Sequence, residues 1–497
     1  MDLQQVKEDL REGRLNAEQL LDLIDAMGKI NQQSKAQLEA ANRRIEELES
    51  RIEELEKDKR SEKLDEAYSM KAEEKRQQKR RKKRKQKKKP ERSGRRTTAE
   101  KLKLAQREED VFPEGIARAR CKFSHSRPVW RLEDGRAVLV AYHVYRAGNQ
   151  YGRIPFTLGR SEFGLEFVIA IGHMVYVMGI SFDKVCALLQ FFQGLPITKS
   201  QANALMNRLA RDWEGEFETL CALLAHAAVV HADETGWSIK SVWAFLSDQV
   251  SVCLFGVPKS GATLAAVLDK ATFLGVLVSD DAAVYQNFSK AQKCWAHLLR
   301  KAIKLTLQDP DNEAYRAFAD ALLALYGKAC RIQRDKRYTE ATRERKVAEL
   351  EDELRGLCAA RWLDETPTPD EVENSYRCLV NELMRLLLAK ELFTFVTEAG
   401  VAGTNNEVER ELRPMSQARD TGRTNKKPSG CRRQSILYSV LASLRKQLPQ
   451  YTLETVVSEV QRWWTQGRSC FRELADSLGL PPPETSVLDT VLPLDSS

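Results

Sequence analysis

The run VVHADETGW at residues 229–237, followed by SVWAFLS at 241–247 and VSVCLFGV at 250–257, decides the fold. Each piece is rich in β-branched and aromatic residues, and Asp248-Gln249 separates the last two. The stretch therefore reads as an antiparallel meander, with Asp233 closing its first apolar run. A helix-prone segment from Ala262 to Lys270 leads to LGVLV at 274–278, another strand-like run, which delivers Ser279 and Asp280 at its end. An aspartate at a strand end holds a hard oxygen donor on a short, stiff side chain, which suits the tight octahedral geometry of magnesium. Taken singly, each aspartate is as well explained by a turn or a helix cap, and Asp281 is an immediate rival to Asp280.

Beyond these strands the period changes. Phe318, Leu322, Leu325, Ala329 and Ile332, then Val347, Leu350, Leu354 and Leu357, then Leu379, Leu383, Leu386 and Leu387 recur at helical spacing, so residues 305–400 read as a helical insertion. It ends before TNNEVERELRP at 404–414, where Asn405 or Asn406 caps a helix that Pro414 is expected to end. Glu407, Glu409 and Glu411 are equal ligand candidates on chemistry alone. Glu409 and Arg413 also stand at i and i+4, where an ion pair is worth about 0.3 kcal/mol. CWAHLLRK at 294–301 puts Cys294 and His297 three apart on a helix, close enough to share one ion. With no second pair in view, a core Cys and Trp with His297 facing the acids is the reading preferred.

The blocks HADETGW, VSDDAAVY, CWAHLLRK and TNNEVERELRP, in that order, resemble the insertion sequence 66 family of bacterial transposases over roughly residues 160–450. The resemblance implies an RNase H-like mixed sheet whose first and fourth strands are neighbours, interrupted by a helical insertion. It implies that Asp233, Asp280 and Glu409 are both catalytic residues and metal ligands, holding two Mg2+ ions, with Mn2+ as a substitute, to cut DNA and join strands. The family motif places an acid directly after the strand and an aromatic five residues later, which selects Asp280 with Tyr285. Two asparagines, two variable residues and Glu-Arg select Glu409. DNA, as element ends and target, is the implied partner. His297, Arg300, Lys301, Arg410 and Arg413 are the expected phosphate contacts, together with Lys426, Lys427, Arg432 and Arg433 in the basic loop GRTNKKPSGCRR. Several related elements also encode accessory proteins. A segment with paired cysteines often precedes the family's catalytic domain and binds zinc. Only Cys121 and His125 stand there in this chain, so no structural zinc is expected.

The N-terminal part adds a different kind of surface. Leu38, Ala41, Ile45, Leu48, Ile52 and Leu55 alternate at spacings of three and four, the seam of a short coiled coil and a route to homo-oligomers. Lys75 to Lys89 then carries twelve Lys or Arg and no acid, so the net charge of +8 becomes about −4 for everything else (8 − 12). This excess exceeds what solubility requires, and Lys79, Arg80, Arg81, Lys82 and Lys83 are read as a nucleic-acid arm binding phosphates without sequence choice. From Pro128 to Pro155, VWRL, AVLVAYHVYR and GRIPF read as strands of a small β module, with turns at Asp134-Gly135 and Ala147-Gly148-Asn149. SFDKVCALLQFFQ, a break at Gly194 and TKSQANALMNRLAR resemble a helix-turn-helix. It is either a packed helical pair or a DNA reader, with Lys199, Gln201 and Asn203 as the reading residues in the second case.

The expected fold class is α+β and multidomain: an RNase H-like mixed-sheet core with a helical insertion, an N-terminal coiled coil, a small β module and a helix-turn-helix-like region. The expected divisions are 1–60 coiled coil, 61–112 basic arm and linker, 113–160 β module, 161–225 helical domain, 226–304 and 401–475 the two core parts, 305–400 insertion, and 476–497 a disordered tail. The longest apolar stretch, Phe167 to Ile180, is too short to cross a bilayer and the N-terminus has no signal-peptide core, so the cytoplasm is expected. Ten cysteines without a C-x-x-C pair argue against a disulfide framework. The rival functions are an RNase H-like nuclease or resolvase that cuts without joining, a domesticated DNA-binding scaffold that no longer reacts, and an RNA-binding coiled-coil protein.

Overall fold

The structure is a computed structural model and describes residues 96–364, 368–483 and 486–492. The expected coiled coil and basic arm lie outside these residues. Helix α1 (Thr98–Lys103) opens on a capping box in which Thr97 and Glu100 satisfy each other's backbone amides. Strand β1 (Arg107–Val111) pairs in parallel with β3 (Arg136–Ala147), and β2 (Lys122–Glu133) pairs antiparallel with β3. The hairpin turns on Asp134 and Gly135, both at positive φ, as a two-residue turn requires. The third expected strand, GRIPF, is a correction: β4 is only Gln150–Tyr151. Gly152 comes so close to the Val111 carbonyl that a Cβ there would sit 2.2 Å from its oxygen, and Pro155 has no amide for a ladder.

Helix α2 (Leu165–Gly172) is buried almost all round. Helix α3 (Phe182–Gln193) stops at Gly194, whose left-handed φ of +69° ends it, and α4 (Lys199–Asp212) starts at Thr198, whose side chain accepts the Gln201 amide. Helix α5 (Glu214–Ala225) follows and leads into the main sheet.

That sheet has the order β7-β6-β5-β8-β9. Strands β5 (Val229–Gly236), β6 (Ser241–Leu246) and β7 (Ser251–Val257) form the expected antiparallel meander. Helix α6 is shorter than its sequence suggests, Gly261–Ala265. Strand β8 (Val276–Ser279) then pairs in parallel with β5, and β9 (Ala291–Lys293) in parallel with β8. Helix α7 (Trp295–Gln308) precedes the insertion, which consists of α8 (Glu313–Arg334), α9 (Glu340–Cys358) and α10 (Glu371–Leu388). Their apolar faces form a second core with Val276, Val278 and Trp295, so the insertion packs against β8. After α11 (Thr394–Thr397) the chain returns through α12 (Asn406–Asp420) and α13 (Pro428–Gln447), and α14 (Leu453–Gln466) and α15 (Cys470–Ser477) close the main core.

Both outer edges of the sheet are covered. On α13, Ser435, Ser439 and Ser443 are spaced one turn apart and accept the backbone amides of Phe255, Cys253 and Ser251 at 2.9, 2.9 and 3.0 Å. Those are alternate residues of edge strand β7, whose free amides would otherwise be buried unpaired at a cost of about 1–3 kcal/mol each. Cys431 extends the row to Gly256, where a Cβ would sit 2.6 Å from its Sγ. At the other edge Lys293 donates its amide to the Glu391 carbonyl, and Thr394 donates its hydroxyl to the Ala291 carbonyl.

The tail also departs from expectation. Helix α16 (Val487–Val491) buries Leu488 and Val491, while Glu218 of α5 accepts the Ser486 hydroxyl and the Val487 amide. Its apolar residues stand three apart and cover one patch, which the preceding prolines obscure in the sequence. No helix among the described residues is long and apolar enough to cross a membrane.

Candidate active site

Strand register brings the two aspartates together. β5 and β8 run parallel with His231 beside Val278, and two further residues along each chain put Asp233 beside Asp280. Asp233 does not end its strand, as its apolar run suggested. β5 continues to Gly236 because β6 keeps pairing with it, Asp233 standing opposite Ala244, while β8 stops at Ser279. Asp233 thus lies where the sheet loses one neighbour and opens sideways. Its Oδ1 accepts the Glu234 amide at 2.8 Å, and Asp280 Oδ1 accepts the Ala282 amide at 3.0 Å, which fixes both carboxylates.

The glutamate arrives by way of a buried asparagine. Asn405, fully enclosed, accepts from His231 Nδ1 at 3.0 Å, donates Nδ2 to the Ala232 carbonyl at 2.8 Å and gives its backbone amide to Cys294 Sγ at 3.1 Å. It ties the start of α12 to β5 and to the start of α7 at once. One turn on, the Glu409 amide bonds the Asn405 carbonyl, and the Glu409 carboxylate comes near enough to Asp233 for its charge to act there. The helix does not end at Pro414 but runs through it to Asp420. Pro414 is exposed, so the carbonyl left without an amide can turn to water. The other two acids point elsewhere: Glu411 accepts the Tyr438 hydroxyl, and exposed Glu407 lies 3.7 Å from Lys446.

Electrostatics mark the convergence. Burial, reinforced by the nearby charges of Asp280, Glu234 and Glu409, pushes the Asp233 carboxyl up to about 7, against the opposing pull of the Glu234 amide. Glu409 is met by Arg300 through both oxygens, 3.1 Å each, and its Oε1 lies 3.6 Å from His297 Nδ1. Glu234, its side chain almost fully enclosed, pairs with Lys259 at 2.5 Å and with the Tyr285 hydroxyl, so it is neutralised locally. Asp281, the rival of Asp280, is turned to Arg385 of α10. Asp280 and Glu409 thus lie near enough to Asp233 for their charges to act on it, and all three offer hard oxygen atoms, the ligand type that Mg2+ prefers.

Beside Asp280 lies a cleft of about 660 Å3 between α7 and α10, lined also by Asp281, His297, Lys301 and Arg385. Buried Lys293 donates to Ser279 Oγ at 3.2 Å and to the Tyr285 carbonyl at 3.1 Å, bracing both ends of the loop that carries Asp280. Burial lowers its ammonium from the usual lysine range, against the pull of Glu391, Asp281 and Asp280. Reading the sequence missed Asn405 as a clasp, and it missed Lys259 and Lys293 entirely. The first is visible only as a cap residue, and lone lysines carry no spacing signal.

The other candidates divide. His297, Arg300 and Lys301 flank the acids, although Lys301 pairs with Glu382 at 2.6 Å. Arg410, Arg413, Lys426 and Lys427 are exposed. Arg432 is turned inward to Glu214 and Asp489, and Arg433 donates to Asn203 and Asn207 at 2.7 and 2.6 Å. Gln201 accepts the Thr198 amide at 3.0 Å as part of the α4 cap, and Lys199 pairs with exposed Asp183 at 2.6 Å. Of the proposed reading residues, Gln201 and Asn203 are therefore engaged within the fold. Lys79, Arg80, Arg81, Lys82 and Lys83 lie outside the described residues.

No curated protein matches the chain. The family model described as Transposase IS66 family matches residues 160–433, more than half of the 497, from just before α2 into the first turns of α13. That span holds the five-stranded sheet, the insertion and all three converging acids, and the chain belongs to this family of transposases.

Proposed function

We propose that the chain cuts the ends of its element and joins them to target DNA, using an RNase H-like core formed by β5 to β9. The convergence of Asp233, Asp280 and Glu409 on one sheet opening carries this reading. The sheet order, three antiparallel strands followed by two parallel ones, supports the RNase H-like assignment. Two Mg2+ ions, or Mn2+ in their place, would supply activation of a water or a DNA 3′-hydroxyl and neutralisation of the leaving oxygen.

The chain's own residues do the rest. Asp233 and Asp280 hold ligand oxygens on adjacent strands, and Glu409 closes the set from α12. Asp233 loses its proton as its oxygen becomes a ligand. Arg300 exchanges Glu409 for a DNA phosphate, and Lys301, Arg410, Arg413, Lys426 and Lys427 track the backbone on either side. Lys259 and Tyr285 keep Glu234 out of the ligand set. The coiled coil and the arm at Lys79–Lys83 supply pairing of two copies and non-specific grip.

Labelled element ends incubated with target DNA and Mg2+ test the reading. Joined products from the wild type, and neither cutting nor joining from Asp233→Ala or Glu409→Ala, are expected. Cutting without a joined species would favour a nuclease, and full element mobility in both variants would favour a scaffold.

A further inference from the structure

Cys294 and His297 acquire in the fold the third partner that the sequence did not offer. Cys294 Sγ, an imidazole nitrogen of His297 and a carboxylate oxygen of Glu409 all lie within 4.8 Å of one another. His297 Nδ1 is enclosed and has no hydrogen-bond partner among the described residues, although Glu409 Oε1 is 3.6 Å away. Sγ is oriented by the Asn405 amide, which it accepts at 3.1 Å, and it stands directly ahead of α7. Cys294 and His297 also line the cleft beside Asp280, which gives an ion a route in.

We infer that Cys294, His297 and Glu409 form a binding site for one borderline divalent cation such as Zn2+, distinct in ligand chemistry from the all-oxygen set at Asp233 and Asp280. Zinc takes cysteine, histidine and carboxylate together in a tetrahedron and leaves its fourth position to water, whereas Mg2+ is poorly served by sulfur. On binding, the thiol proton goes to solvent as the metal–sulfur bond forms, Glu409 exchanges Arg300 for the cation, and nothing is oxidised. A consequence rests on the proposed function: Glu409 cannot serve both sites, so zinc at Cys294 withdraws the third carboxylate from the catalytic set and stops DNA cutting.

Titration of the metal-free full-length chain with Co2+ tests the site without reference to activity. A sulfur-to-cobalt charge-transfer band is expected, present under excess Mg2+, lost in Cys294→Ser, and needing about 10- to 100-fold more Co2+ in His297→Ala. No band, or a band that survives in Cys294→Ser because another cysteine binds, overturns the site. Asp233→Asn separates the two readings, because its band persists if the site is real even when the variant's DNA chemistry contradicts the proposed function. The consequence is read from cutting assays in which Cys294→Ser should need about 10-fold or more Zn2+ for the same inhibition. Equal sensitivity of the two proteins would overturn it.

Discussion

Arg300 holds both carboxylate oxygens of Glu409 through a single guanidinium nitrogen, at 3.1 Å each. The arginine is more than half exposed, so the pair is worth no more than about 0.2–1 kcal/mol. That is weak enough for a cation to displace. Arg300→Gln should lower the Mg2+ concentration for half-maximal cutting by about 2- to 5-fold. It should also weaken DNA binding and reduce its salt dependence by about one phosphate contact. A Mg2+ titration and a salt series of binding isotherms check both, and an unchanged Mg2+ midpoint would show that Arg300 does not compete for Glu409.

Asp233 gives the fold a pH dependence of definite sign. With its carboxyl raised to about 7, the folded protein keeps a proton that an unfolded chain has lost above the ordinary range near 3.8. Folding therefore takes up a proton between those values, and stability falls as pH rises through the window, by an amount on the order of 4 kcal/mol at most. Asp233→Asn should be more stable than wild type at pH 8 and nearly equal to it near pH 4, by urea unfolding.

Mg2+ should offset the cost of the same buried charge. Its stabilisation of the wild type, followed as a shift in melting temperature, should be larger at pH 8 than at pH 5, should disappear with a chelator, and should shrink in Asp233→Asn. Equal shifts at both pH values would argue against Asp233 as a ligand.

Asn405→Ala removes two buried hydrogen bonds and leaves His231 Nδ1 and the Ala232 carbonyl without their partner. A loss of roughly 2–4 kcal/mol in unfolding free energy is expected. Asn405→Asp should do no better, since it sets a carboxylate oxygen against the Ala232 carbonyl. Cutting activity should fall further than the remaining folded fraction explains, because Glu409 is positioned through this residue.

Ser439→Ala should cost about 1–3 kcal/mol by leaving the Cys253 amide unpaired, while Ser429→Ala, at an exposed position on the same helix, should be nearly silent. Denaturant midpoints of the two variants decide it.

The contrast between these residues shows what the sequence made legible. β5 to β7 and the insertion helices announce themselves because a half-buried strand or helix must repeat its apolar residues with the period of its backbone. Leu322, Leu325, Leu350, Leu354 and Leu383 all fall in the second core as their spacing predicts. Asp280 is traceable to a strand end, and Asp233 to a strand, because apolar runs precede them. How far β5 outlasts β8 is set by pairing with β6, a tertiary relation that local composition does not carry. Arg432 and Arg433 look like DNA contacts in a basic loop, and only the positions of Glu214, Asp489 and Asn203 reveal that they serve the fold. The serines of α13 lie every fourth residue in plain view. They escape notice because serine on a helix ordinarily means a water-facing position, and their partners are amides far away in the chain.

Those serines also constrain how two copies of the protein associate. With the hydrogen-bonding groups along the outer side of β7 already committed to the protein's own helix, a neighbouring molecule has no exposed ribbon there to extend. Assembly across that border by shared β-structure would first require peeling α13 away, and with it much of the interior that supports Glu409.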